Sequence, residues 1–152
     1  MLELYRFVNM NDIEDVKLED ISKTDVYDEG YWLTPKGDEA DLWKMNVDES
    51  SGTVATQDAT RLAKMVWMER GRTDSKAIGK MTVIRGGGVR GKTDVFIVDD
   101  AASMKPGVEL TLKVDTDGVV KMGVAAAGDI VKALVYRAPS GADGLLHFEL
   151  VS

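Results

Sequence analysis

"PGVELTLKVDTDGVVKM", residues 106 to 122, decides how the chain is read, because it holds two alternating segments on either side of a turn. Val108, Leu110, Leu112 and Val114 share one face of an extended segment, and Glu109, Thr111 and Lys113 share the other. A period of two marks a half-buried strand. Asp117-Gly118 tolerates the positive φ of a tight hairpin turn, so "VVKMGV" returns as the second strand. Downstream, "DIVKALVYRA" and "LLHFELV" read as two more strands joined by the turn-forming "PSGADG". Upstream, "KMTVI" and "DVFIV" read likewise, the second apolar on both faces and therefore expected to be central. Helical spacing is confined to "DATRLAKMVWMER", residues 58 to 70, where Leu62, Met65 and Val66 form a stripe.

The opening stretch has a relative within the chain. "EGYWLTPKGDEADLWKM", residues 29 to 45, lies on it without a gap at an offset of 77, and seven of seventeen pairs are identical, among them Gly30/Gly107, Leu33/Leu110 and Met45/Met122. After a longer loop in the first copy, the "TRLAKMVWM" region falls on the "DIVKALVYR" region, with Lys64 set on Lys132 and Trp67 on Val135. That match predicts a strand over residues 62 to 68 in place of the helix. The expected fold is mostly all-β: a small barrel or sandwich of two related, hairpin-containing halves, about 29–85 and 106–152, within one β-rich domain over 26–152. Residues 1–25 precede the repeat as an N-terminal arm.

Composition narrows the function. The chain has 152 residues, 26 acidic against 19 basic, for a formal charge of -7, so direct binding of nucleic acid or an anionic membrane is not expected. The absence of cysteine removes thiolate metal sites and thiol nucleophiles and suits synthesis in a reducing cytoplasm. The N-terminus lacks the pattern of a secretion signal, and no segment is apolar enough for a membrane helix.

"GGGVRGKT", residues 86 to 93, spells the phosphate-binding loop GxxxxGK[ST]. Such a loop needs a helix after the Lys-Thr, so that backbone N–H groups converge on the anion. "DVFIV" follows instead, which favours a glycine-rich hairpin loop carrying Arg85, Arg90 and Lys92 into solvent; a nucleotide-binding enzyme built on this loop is the alternative. "DTDG" opens like a calcium loop but lacks the later carboxylates, so a turn is expected. His147 alternates with Leu146 and Phe148 and is expected on the outer face of the last strand. Asp99-Asp100 is expected to end a strand. Trp32, Trp43, Trp67, Tyr31 and Tyr136 are expected mostly in the core.

From residue 104 to the end, the chain resembles the small β-rich head decoration, or cement, proteins of tailed bacteriophages. The likeness is carried by "PG" before an alternating strand, the "DG" hairpin, the "AAAGD" step, "IVKALVY", a Gly/Ala/Ser loop and a final strand. It extends more weakly to residues 29 to 85 through the repeat. The resemblance implies a structural virion protein, not an enzyme, with no cofactor. It would be made in the host cytoplasm and bound, often as a dimer or trimer, to the major capsid protein on the capsid exterior. Another phage structural part, such as a tail component, is the further alternative. Leu2, Leu4, Tyr5, Phe7 and Val8 are too apolar to be left in water, so they are expected as contacts of the arm with a neighbouring subunit, with Arg85, Arg90 and Lys92 as a second contact. The competing expectation is that the first residues add an edge strand to their own sheet.

Overall fold

A computed structural model describes residues 2–6, 13–18, 30–36, 39–45, 57–67, 80–84, 87–117, 119–140 and 143–151. The fold is all-β. The hairpin expected around Asp117-Gly118 is present as β8 (Glu109–Val114) and β9 (Val120–Val124), paired antiparallel from Leu110↔Val124 to Val114↔Val120. Leu110 and Leu112 are buried as the alternation requires; Thr111, on the other face, is buried too. The turn is tied by Asp115 N–H to Val119 carbonyl, 2.9 Å, and by Val119 N–H to the Asp117 carboxylate, 3.0 Å. Lys121 Nζ lies 2.8 Å from Asp115 and 2.9 Å from Asp117, so an ammonium group occupies the place a cation would take between these carboxylates. Its hydrogen bonds hold both aspartates below the usual carboxylate range.

β9 is one edge of a six-stranded sheet that continues through β8 to β10 (Ala133–Arg137), β11 (Leu146–Leu150), β7 (Arg90–Thr93) and β1 (Leu2–Arg6). Past β7 the chain returns to the far edge, where Phe96 bridges Met122 in parallel and Ile97 N–H donates to Met122 carbonyl, 2.9 Å. The remaining strands are β2 (Ile13–Leu18), β3 (Trp32–Lys36), β4 (Glu39–Met45), β5 (Lys64–Val66) and β6 (Lys80–Ile84). Their pairings run β2-β4-β3-β5-β6 and close on β2, with the β2–β4 contact parallel.

The two rings share one strand order. Taking the strands of each in chain order as A to E, β2 to β6 in the first and β7 to β11 in the second, both run C-B-D-E-A; the first closes through the parallel β2–β4 contact, whereas the second stays an open sheet whose ends meet only at the isolated parallel bridge from Phe96, three residues past β7, to Met122. The backbone repeats as well. Gly30 N–H donates to Val66 carbonyl and Val66 N–H to Tyr31 carbonyl; Gly107 N–H donates to Val135 carbonyl and Val135 N–H to Val108 carbonyl. Gly30 and Gly107 take φ of 87° and 89°, a conformation that glycine adopts without strain. The repeat therefore begins before residue 29, since β2 corresponds to β7.

This correspondence corrects the sequence alignment in two places. Lys64 matches Ala133, not Lys132, because Leu33↔Lys64 and Leu110↔Ala133 are equivalent pairs; the buried Ala63 is the counterpart of the buried Lys132. A slip of one residue would have turned each side chain to the opposite face. Met45 matches Val124, not Met122, because Leu33 pairs Met45 whereas Leu110 pairs Val124. A slip of two keeps the faces, and a bulge at Pro35/Lys36 accompanies it in the first hairpin.

Neither expectation for this stretch holds in full: α1 (Gln57–Leu62) ends at the exposed Leu62, and β5 begins two residues later with Met65 and Val66 buried, so the strand expected over 62–68 is found at Lys64–Val66 and the helical stripe of Leu62, Met65 and Val66 does not form. "DVFIV" is not a regular strand. Its predecessor "RGKT" is β7, and Thr93 Oγ1 then accepts Val95 N–H, 3.0 Å, turning the chain; a 3-10 helix follows at Val98–Ser103. Val95, Phe96 and Ile97 are nevertheless buried. Asp100, expected to end a strand, lies in that helix and accepts Val124 N–H, 2.9 Å, and Lys113 Nζ, 3.2 Å.

Within residues 1–25, the described segments 2–6 and 13–18 are both paired strands, the first at the edge of its own sheet. β1 pairs antiparallel with β7, Leu2 is 5% exposed within the core, and β2 belongs to the first ring. One apolar cluster runs through both rings, joining Trp32, Met65 and Ile84 to Phe96, Met122 and Phe148. Lys132 lies across it: only 1% exposed, it donates from Nζ to Arg61 carbonyl at the end of α1, 3.3 Å, with Nζ 5.8 Å from the centre of the Trp32 ring.

Candidate functional site

Antiparallel register places four polar residues side by side on the outer face of the six-stranded sheet. Glu3 of β1 faces Lys92 of β7, Lys92 faces His147 of β11, and His147 faces Arg137 of β10. One further row along, Arg90 faces Glu149. These rows border an open groove of about 610 Å³ lined by Glu3, Lys92, Tyr136, Arg137 and His147.

Most of its charges are met from within the chain. Lys92 Nζ is 3.4 Å from Glu3, Arg90 Nε is 2.9 Å from Glu149, and His147 Nε2 is 3.0 Å from Asp143. Leu145 N–H and then His147 hold the Asp143 carboxyl below its ordinary range. Arg90 lies over the Tyr136 ring, 4.4 Å from its centre, a cation–π contact that fixes the ring against the sheet. Tyr136 is still 49% exposed. It stands where the β10–β11 register shifts, between Val135 and Arg137, and such bulges re-aim side chains.

His147 is on the outer face as expected, yet only 9% exposed, because Lys92 and Arg137 flank it on the neighbouring strands. Trp32 is in the core, with its indole N–H meeting no acceptor among the described residues. Tyr136 departs from the core expectation.

Of the expected contact residues, Arg90 and Lys92 border the groove, but as ordered strand residues and not as a solvated loop. Leu2 faces the core and Leu4 packs against it, which leaves neither as an outward apolar contact. Tyr5 lies in β1; Phe7, Val8 and Arg85 lie outside the described residues. Sequence reasoning singles out neither Glu3 nor Arg137, and it names Tyr136 and His147 without joining them in a site, since only strand register brings the four together.

The phosphate-loop spelling does not form a phosphate cradle. Gly91, Lys92 and Thr93 are paired to β1 on one side and β11 on the other, so their amides belong to ladders, and a 3-10 helix that begins five residues after β7 is the next helical element. Among the described residues no group of three or more His, Asp or Glu side chains is placed to hold a metal ion, and no helix is long and apolar enough to cross a membrane. Comparison with protein-family models, curated proteins and solved structures finds no match to the chain.

Proposed function

We propose that the protein is a structural virion protein that binds the outer surface of an assembled phage capsid and clamps neighbouring copies of the major capsid protein. The observation that carries this reading is the pair of like rings built on one apolar core. Two related surfaces held at a fixed separation engage two neighbouring subunits together, and the second contact then forms at high effective concentration. The resemblance of residues 104–152 to decoration proteins supports the same reading, as does the all-β fold. Self-association on the capsid into a dimer or trimer follows from the resemblance alone.

Cryo-electron microscopy of the particles that carry the chain tests it. The expected result is density on the capsid exterior bridging adjacent subunits, and capsids that withstand heating better with the protein than without it. Density in the tail, or none on the particle, overturns the reading.

A further inference from the structure

We propose that the groove at Tyr136 and Arg137 docks an acidic peptide segment of a protein partner. This rests on the capsid-binding reading and deepens it, for it names the chemistry of the partner's surface. One charge of the groove is unmet among the described residues. Lys92 has Glu3, Arg90 has Glu149 and His147 has Asp143, whereas Arg137, exposed on the same face, meets no carboxylate among the described residues. A guanidinium group binds a carboxylate through two parallel hydrogen bonds, a stronger and more directional contact than a lysine makes.

Beside it, Tyr136 offers a half-exposed aromatic face, already held by Arg90 and therefore ordered at little further entropic cost. The bulge that puts Tyr136 and Arg137 on the surface together is a local departure from a regular ladder, of a kind found next to binding sites. An aromatic surface beside one free guanidinium suits a peptide carrying carboxylates and a short apolar side chain. A nucleic acid fits poorly: phosphate backbones bind to rows of uncompensated cations, and among the described residues all but one of the groove's cations are paired. The net charge of -7 repels an acidic partner at long range, but at physiological salt that repulsion is screened beyond roughly 8 Å, so the local cation decides.

The test is an NMR titration of the full chain with the blocked heptapeptide acetyl-Gly-Glu-Glu-Leu-Glu-Glu-Gly-amide. Its glutamine counterpart and a thymidine heptanucleotide serve as controls. The expected result is saturable shifts at Lys92, Tyr136, Arg137 and His147, and about tenfold weaker binding in Arg137→Gln, with partial recovery in Arg137→Lys. Lys105→Gln, an exposed change away from the groove, should leave binding intact. No shifts at millimolar peptide, equal binding of the glutamine peptide, or tighter binding of the oligonucleotide each overturn the proposal. So does undiminished capsid co-sedimentation of Arg137→Gln, which leaves the capsid reading standing. Peptide binding by a protein that does not sediment with capsids overturns the capsid reading and leaves the groove assignment in place.

Discussion

Lys132→Met should make the protein more stable at neutral pH, against the usual outcome of changing a fully buried residue. Lys132 is enclosed by the core cluster, donates to the Arg61 carbonyl, and has Lys64 as a nearby like charge. Burial, and secondarily Lys64, push its ammonium group down to about 8 from an ordinary 10.5. Below pH 8 the folded and unfolded chains both hold the proton, and the folded chain bears the full cost of burying it. Between 8 and 10.5 the folded chain has released the proton and the unfolded chain has not, so stability rises with pH across that window and levels above it. At about 1.4 kcal/mol per pH unit the cost at pH 7 is on the order of 3 kcal/mol.

Methionine has similar length and no charge and adapts to irregular core space. The substitution gives up one hydrogen bond, about 1 kcal/mol, so the net gain at pH 7 is about 2 kcal/mol. Urea unfolding of both proteins at pH 7 and pH 10, at one ionic strength, reads this directly. Wild type should gain on the variant as pH rises, and the gap should nearly close by pH 10. A variant less stable than wild type at pH 7, or a gap that does not change with pH, would refute the reasoning and make the cation itself the tie between the rings.

Two further outcomes follow from close approaches and from the ladder around β7. A Cβ added at Gly91 would come within 2.8 Å of Glu3 carbonyl oxygen, a backbone atom that cannot rotate away, so Gly91→Ala should cost about 1–3 kcal/mol and lower Tm by several degrees; an unchanged or raised Tm would remove the tight β1 crossing. Titration calorimetry with magnesium ATP or GTP should be flat at millimolar ligand, and micromolar binding abolished by Lys92→Ala would restore the phosphate loop.

The parts of the fold that were legible are those where one strand carries its own signal. "VELTLKV" alternates and "DTDG" turns, and β8 and β9 form where these place them. Gly30 and Gly107 were visible as an identity because both need a positive φ at the same point of the ring, and substitution there is strained in either copy. The rest of the repeat was concealed because strand pairing conserves face, not letter. Met45 and Met122 are identical without being equivalent, while Ala63 and Lys132 are equivalent with nothing in common but burial. β7 was hidden differently. "RGKT" alternates half-buried Arg90 and Lys92 with buried Gly91 and Thr93, a strand pattern written in residues that hydropathy does not detect.

The groove was beyond any single-strand reading. Glu3, Lys92, His147 and Arg137 are spread over most of the chain and become neighbours only through three registers, none of which is set by the residues themselves. Their registers are set on the opposite face, where Leu2, Leu146 and Phe148 must reach the core, since a slip of one residue would expose all three. The duplication supplies the frame and the core supplies the register. The second ring's difference from the first lies at β7, whose outer edge is taken by the chain's own β1. That added strand brings Glu3 beside Lys92 and neutralises it, which leaves Arg137 as the groove's uncompensated cation among the described residues.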